Sequence, residues 1–205
     1  CTPKVPSVCT PKSDNLRGQF FPACRLPQIV ASTNSTSLPG GESCTLCSHV
    51  TIQAGGFLLV KGEFRGGVSN PAIISGGDAT RHFLVFGKLV LEDVILVYGF
   101  SGVDGGAILI DSSRGNDASV ILNRSVVRDC EACRNGGGVA VHGENGTLSL
   151  RDGVLFERNK GRNNGGALYA SDGARVHVIA QSEGELGGSV INVTGRGNHA
   201  GVGGG

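Results

Sequence analysis

The chain has no tryptophan and no methionine, and only 2 of its 205 residues are tyrosine. Sites that stack sugar rings on aromatic side chains therefore have little material here. Because methionine is absent, Cys1 is not a translation start. We expect a processed end or a fragment of a longer chain, and no signal peptide is visible.

Charge and long apolar runs are also scarce. The formal net charge is +1 and 17% of the residues are charged, so the sequence lacks the basic footprint of a nucleic-acid or anionic-membrane partner. No apolar stretch approaches the roughly 20 residues needed to span a bilayer. The 39% of hydrophobic residues is enough for one folded domain with a core.

Glycine, in contrast, is abundant, with 35 residues. Glycine pairs precede short alternating apolar runs in VDGGAILID (103–111), RNGGGVAVHG (134–143) and NNGGALYAS (163–171). Such pairs mark tight turns with a positive backbone angle φ. Their spacing of about 30 residues indicates an internal repeat. The predicted corner glycines are Gly105, Gly106, Gly137, Gly138, Gly165 and Gly166.

A unit of this length cannot bury an apolar face alone, so the units must stack as a solenoid. The runs between the glycines alternate and are rich in β-branched residues, which predicts strands. One unit holds three short strands, in 105–110, 118–122 and 124–127. We predict an all-β fold class, a parallel β-helix with three strands per rung. A β-sandwich is the alternative, but ENGT at 144–147 is nearly the only hairpin-like turn.

Stacking predicts columns of equivalent residues. Leu91, Leu122 and Leu150 anchor the alignment of the units. The first column should hold Ala107, Val139 and Ala167. The second should hold Ile108, Ala140 and Leu168, and the third should hold Leu109, Val141 and Tyr169. Asn135 and Asn163 should align just outside the glycine corner, where a structural role in bonding turn amides is favoured.

The segment FERNKGRNNGGALYAS (156–171) resembles the repeat of the chlamydial polymorphic outer membrane proteins, whose units carry F-x-x-N and G-G-A-[ILV] motifs. Phe156 and Asn159 match the first motif, and 165–168 match the second. In the preceding unit we align Arg128 and Glu131 with Phe156 and Asn159.

The resemblance covers about residues 83–205. It implies a right-handed parallel β-helix of the pectin-lyase-like superfold and a secreted surface or adhesive protein, and it implies no catalytic residue. We place the β-helix at residues 49–205, continuing beyond Gly205, and a disulfide-rich irregular N-terminal cap at residues 1–48.

The seven cysteines are disulfide candidates, and their odd number leaves one thiol free or paired elsewhere. Two C-x-x-C pairs, 44–47 and 130–133, raise the alternatives of a zinc site or a redox pair. We favour disulfides and predict no metal. The candidates are Cys1, Cys9, Cys24, Cys44, Cys47, Cys130 and Cys133.

Four N-glycosylation acceptors, at Asn34, Asn123, Asn145 and Asn192, favour a secreted glycoprotein. Asn145 is the best of them because it lies in a polar turn. We expect N-linked glycans, no other cofactor, and an extracellular or cell-surface location.

Catalysis by a parallel β-helix needs clustered carboxylates. Asp129 and Glu157 are expected on adjacent rungs, whereas Asp93, Arg124 and Asp152 should form a charge-balanced column. The histidines, including His82 and His142, are scattered along the sequence, and we expect them to be solvated.

We therefore expect no enzyme and no catalytic residue, but a structural module of an extracellular surface or filament protein that assembles with identical or different subunits. Because the sequence stops where a strand should begin, we expect either that the native chain continues or that this end meets another subunit. The alternatives are an adhesin that binds a glycan or surface ligand, and a carbohydrate-active lyase or hydrolase.

Overall fold

A computed structural model describes residues 13–14, 19–20, 23–38, 43–65, 68–179, 194–196 and 198–200. All regular structure in these ranges is β-strand. Three six-stranded parallel sheets stack around a common core as a β-solenoid of about five turns. The predicted all-β parallel fold class is confirmed.

The chain passes through sheets 1, 2 and 3 in each turn, and one such passage is a rung. Sheet 1 consists of Ile29–Val30, Val50–Ile52, Phe83–Val85, Ile108–Asp111, Val139–His142 and Leu168–Ser171. Sheet 2 consists of Thr33–Ser37, Phe57–Lys61, Lys88–Glu92, Ala118–Asn123, Gly146–Arg151 and Arg175–Ile179. Sheet 3 consists of Ser43–Thr45, Ala72–Ser75, Val94–Val97, Val126–Arg128, Leu155–Glu157 and Thr194–Arg196.

A fourth ladder, sheet 4, lies between sheet 3 and the next strand of sheet 1, and we did not predict it. Its strands are Phe100–Ser101, Glu131–Ala132, Lys160–Gly161 and His199–Ala200. Strands of two residues carry almost no alternation, so the sequence pattern does not reveal them. Two antiparallel pairs complete the described strands, Ser13–Asp14 with Gln19–Phe20 and Glu63–Arg65 with Val68–Asn70.

The first rung lies within the segment that we assigned to the cap. Its strands begin at Ile29 and end at Thr45, before residue 49. A disulfide joins Cys24 to Cys44 beside this rung. Leu26 and Val30 are both buried in the shared core, so stacking already operates here.

The core is built from inward columns that run the length of the solenoid. In sheet 2, Leu91 pairs with Leu122 and Leu122 with Leu150, as predicted. A neighbouring column contains Leu89 and Leu148, both fully buried. Burying one such side chain contributes roughly 1.5–3 kcal/mol, so the repeated columns supply the stability that no single rung provides.

The predicted register of sheet 1 is wrong by one residue at the fifth rung. Val139 lies between Ile108 and Leu168, rather than between Ala107 and Ala167. The sequence has three glycines at 136–138, and Gly138 is the residue equivalent to Ala107. The Ala107 N–H accordingly donates to the Gly138 carbonyl at 2.8 Å.

The alignment of Phe156 and Asn159 with Arg128 and Glu131 is also wrong. Val127 pairs with Phe156 in sheet 3, which places Cys130 one rung below Asn159. Phe156 is 2% exposed and packs in the core. The F-x-x-N motif therefore corresponds to Val127 and Cys130 in the preceding rung.

Asparagines form a ladder inside the corner between sheets 3 and 4. Asn159 is fully buried, and its amide donates to the Val127 carbonyl at 2.9 Å. Asn198 repeats this arrangement one rung later and donates to the Phe156 carbonyl at 3.2 Å. The ladder satisfies buried backbone groups where the chain turns and no strand can pair with them.

Candidate functional site on the outer face of sheet 1

The glycine corners precede the strands of sheet 1 and fold back against them. Gly105, Gly136 and Gly165 have φ values of 67°, 63° and 59°, which favour glycine. A Cβ at Gly105 would collide with the carbonyl oxygen of Ile108 in the strand that follows. The first glycine of each corner therefore lets the loop lie directly over the strand.

The second glycine of each corner allows close contact between rungs. A Cβ at Gly106 would collide with the carbonyl oxygen of Gly137, and it would lie 2.7 Å from the carbonyl group of Glu131 in sheet 4. Gly137 has the same relation to Gly166 and Lys160. The repeated pair thus combines an unusual φ with a position that has no room for a side chain.

A polar column stands just outside these corners. The Asn135 backbone N–H and side-chain amide both donate to Asp104 Oδ1, at 2.9 and 3.0 Å. Asn164 in turn donates to Asn135 Oδ1 at 3.0 Å. The expected asparagine ladder exists, but Asn135 is followed by Asn164 and not by Asn163. The predicted register was wrong by one residue at the fifth rung.

His142 lies at the end of its strand and joins three rungs. Its Nε2 is 3.2 Å from Asp104 Oδ2, which precedes the fourth strand of sheet 1. Its Nδ1 is 2.7 Å from Ser171 Oγ, in the sixth strand. The side chains of His142 and Asp104 are 20% and 19% exposed. His142 is therefore a fixed, partly buried residue and not the solvated histidine that we expected.

Ser171, Asp172 and Tyr169 complete the surroundings of His142. The Ser171 hydroxyl donates to Asp172 Oδ2 at 2.9 Å, and that oxygen lies 3.8 Å from His142 Nδ1. The Tyr169 ring stands edge-on to the imidazole, with 5.8 Å between ring centroids. Asp104, His142, Ser171 and Asp172 thus bring together one imidazole, two carboxylates and one hydroxyl.

Arg81 adds positive charge next to this cluster. It donates to Ser101 Oγ at 2.6 Å, and that hydroxyl donates to the Asp104 carbonyl at 3.0 Å. Burial lowers the pKa of Arg81 to about 10, and the charge of Asp104 opposes this shift. Burial, followed by the charge of Arg81, lowers the pKa of His49.

The charge-balanced column that we predicted is present. Arg124 donates from Nε and Nη2 to the two carboxylate oxygens of Asp93, at 2.9 and 2.7 Å. Its backbone N–H donates to the Asp152 carbonyl at 2.9 Å. The side-chain hydrogen bonds to Asp93 are the main cause that raises the pKa of Arg124.

The predicted acidic pair does not form. Asp129 stacks with Arg158, which donates to both of its carboxylate oxygens at 2.7 and 2.8 Å. Glu157 pairs instead with Arg128 in the sheet register and binds Arg158 Nη1 at 2.7 Å. The two acids are thus one position out of line and already paired, which removes the basis for a two-carboxylate active site there.

His82 is wholly buried, contrary to the expectation of a solvated histidine. Its Nε2 lies 3.0 Å from the Ile74 carbonyl and 3.1 Å from the Val97 carbonyl. A nitrogen shared by two carbonyls must carry the proton, so the ring is a donor there. Burial lowers the pKa of His82 to about 4.

The cysteines have different fates within the described residues. Cys44 bonds Cys24 rather than Cys47, so it is not a zinc ligand. Cys47 and Cys133 are also disulfide-bonded. Cys130 is a free, buried thiol, and burial raises its pKa to about 12. Cys1 and Cys9 lie outside the described residues.

The four glycosylation acceptors differ in accessibility. Asn34 and Asn145 are exposed. Asn123 is only 8% exposed, so it is the least accessible of the three acceptors in the described residues. Asn192 lies outside the described residues.

The sequence contained one signal for the His142 cluster that we did not use. Asp111, His142 and Ser171 occupy one column of sheet 1, and a correct register would have placed them together. In the ranges that the structure describes, no three histidine, cysteine or acidic side chains are arranged to hold a metal ion. Over the same ranges, no helix is long and apolar enough to cross a membrane.

Comparisons with known proteins give no relative of this chain. No protein-family model matches it, and no curated protein or solved structure does either.

Proposed function

We propose that the chain is a structural module of a secreted cell-surface or extracellular filament protein. In this role it is a stiff, glycosylated rod segment that assembles with other subunits. Neighbouring strands of a ladder are about 4.8 Å apart, so six stacked strands span about 24 Å. A segment of this size supplies length and rigidity through repetition.

One observation carries the proposal. Val176 and Val178 pair with Leu148 and Leu150 and so extend two core columns, yet they are 39% and 48% exposed. Ile179 in the same strand is 36% exposed. An edge strand with exposed apolar positions is a site for association with another chain. We assign this edge to assembly with a further subunit.

The opposite edge of sheet 2 has a different chemistry. Its strand is Thr33–Ser37, with the sequence TNSTS, and it includes the acceptor Asn34. Polar residues and a glycan at an edge strand oppose pairing with another chain. Assembly through sheet 2 is therefore directed to the Arg175–Ile179 edge.

The disulfides and acceptors support a secretory route. Disulfides persist in oxidising compartments, and the Cys24–Cys44 bridge closes the first rung. Secretion can be tested by expressing the chain behind a signal peptide in eukaryotic cells and mapping glycans by mass spectrometry. Release with glycans on Asn34 and Asn145 supports the proposal. Retention in the cell, or release of only unmodified protein, contradicts it.

Adhesion to a protein is the second candidate. The outward positions of sheet 3 form an aliphatic column of Ile73, Ile95, Val126 and Leu155, each half-buried. Such a stripe suits an apolar protein surface better than a sugar. Binding of the secreted protein to cells, lost on Val126→Lys but kept on Ser149→Lys, would favour adhesion over assembly.

A further inference from the structure

Ser171, His142 and Asp104 lie in sequence on the outer face of sheet 1. Ser171 Oγ is 2.7 Å from one imidazole nitrogen, and Asp104 Oδ2 is 3.2 Å from the other. A hydroxyl, an imidazole and a carboxylate in this order are the elements of a serine nucleophile. We propose that these residues form a site that accepts small acyl groups from carboxylic esters and hydrolyses them, an activity that goes beyond the structural role.

Asp104 is held as an orienting carboxylate has to be held. Its Oδ1 accepts two hydrogen bonds from Asn135, which leaves Oδ2 for the imidazole. Asn135 is itself fixed by Asn164, which donates to it at 3.0 Å. The carboxylate lies 3.2 Å from Nε2, where its charge favours the proton on that nitrogen.

Neutral His142 can then accept the Ser171 proton at Nδ1. Compared with serine proteases, the two ring nitrogens are reversed, because here Nδ1 faces the serine and Nε2 faces the carboxylate. Either nitrogen can serve as base or donor. Asp172 competes with His142, because Ser171 now donates to its carboxylate at 2.9 Å. Asp172 therefore restrains the nucleophile, and its removal should release the hydroxyl toward His142.

The turn after Ser171 provides donors for a developing oxyanion. Asp172 and Gly173 have φ values of 58° and 80°, and the Ala174 N–H closes the turn on the Ser171 carbonyl at 3.1 Å. Within the described residues, no hydrogen bond uses the N–H of Asp172 or Gly173. In many esterases, the N–H of the residue after the nucleophile contributes to the oxyanion hole.

The reaction is balanced by the groups present and water. Ser171 Oγ bonds the carbonyl carbon while its proton moves to His142 Nδ1, and the N–H groups of the turn stabilise the oxyanion. The ester C–O bond breaks, and the leaving alkoxide takes the proton from Nδ1. Water then attacks the acyl-serine and gives its proton to His142. The bond between Ser171 Oγ and the acyl carbon breaks, Ser171 takes the proton back from Nδ1, and the carboxylic acid leaves.

The first test is labelling with an alkyl fluorophosphonate, in which Ser171 displaces fluoride and loses its proton to His142. Peptide mapping compares Ser171 with Ser113, an exposed serine whose hydroxyl donates to Asp111 at 2.6 Å without a histidine between them. We expect Ser171 to be labelled and Ser113 not. Equal labelling of the two serines, or no label on Ser171, overturns the proposal.

Variants distinguish ester hydrolysis at Ser171 from the reactivity of a serine that is merely exposed to solvent. His142→Gln and Ser171→Ala should each reduce p-nitrophenyl acetate hydrolysis about a hundredfold or more, whereas Asp172→Ala should raise it. Ser113→Ala should change nothing. Hydrolysis that is unaffected by Ser171→Ala contradicts the site. If His142→Gln fails to fold, Asp104→Asn takes its place, and the comparison of Ser171 with Ser113 in the unaltered protein still decides the matter.

Discussion

Asn159 Oδ1 accepts a hydrogen bond from the backbone N–H of Cys130, one rung away, at 3.1 Å. Cys130 occupies the same position in its own rung, and its sulfur accepts a hydrogen bond from the Gly99 N–H at 3.3 Å. The thiol thus takes the place of an asparagine in the buried ladder. This relationship explains both the burial of the free cysteine and the single full occurrence of the F-x-x-N motif.

Asn159→Ala should destabilise the protein by about 2–4 kcal/mol, because it leaves the Cys130 N–H and the Val127 carbonyl buried without their partner. Cys130→Asn should instead extend the ladder and keep stability within about 1 kcal/mol of the parent. Urea unfolding followed by circular dichroism measures both changes. Equal stability of Asn159→Ala and the parent would show that the ladder contributes nothing.

Gly106→Ala should be among the most damaging single-methyl additions in the chain. The new Cβ would collide with the Gly137 carbonyl oxygen of the next rung, so at least one rung must shift. Overpacking of this kind costs about 1–3 kcal/mol or more. Gly102→Ala is the matched control, since nothing lies within 4 Å of its Cβ position. Thermal melting should separate the two variants clearly, and similar melting midpoints would contradict the inter-rung packing.

His82 should make the protein less stable in mild acid. Its folded-state pKa is about 4 against an ordinary 6.5, so between these values the unfolded chain binds the proton that the folded chain excludes. Stability is therefore lost as the pH falls from about 6.5 toward 4, by at most about 3 kcal/mol. His82→Gln should flatten this part of the stability curve, as measured by urea unfolding at pH 7 and pH 5. An unchanged slope would rule out His82 as the cause.

The Cys130 thiol should not react while the protein is folded. It is buried, and its pKa is raised to about 12, so almost no thiolate exists at neutral pH. Ellman's reagent without reductant should leave Cys130 unmodified in native protein and modify it in denaturant, as located by peptide mapping. Rapid native modification of Cys130 would contradict its burial.

The sequence predicted the parallel ladders because apolar and polar residues alternate along their longest strands, such as Ala118–Asn123 and Gly146–Arg151. Leu91, Leu122 and Leu150 were aligned correctly, since leucines in equivalent strands mark the same inward column. The Asp93–Arg124 pair followed from that alignment, because both residues lie just after their strands and keep the register of sheet 2.

The candidate site was lost through a one-residue error at the glycine triplet 136–138. The sequence pattern does not show which two of three consecutive glycines form the corner. In the structure the corner pair is Gly136 and Gly137. That error placed Asn163 beside Asn135 in place of Asn164. The same error hid the column of Asp111, His142 and Ser171. Asp104 was missed for another reason, since the loop that folds back over the strand brings it to a place that strand periodicity does not encode.

The most direct test of the structural role is assembly of the secreted protein, followed by electron microscopy and sedimentation over a range of concentrations. We predict dimers joined through the Arg175–Ile179 edges, which form as the concentration rises and disappear in the double variant Val176→Lys, Val178→Lys, while circular dichroism shows that the variant remains folded. Single particles at every concentration, or assemblies that persist in the folded double variant, would contradict the account.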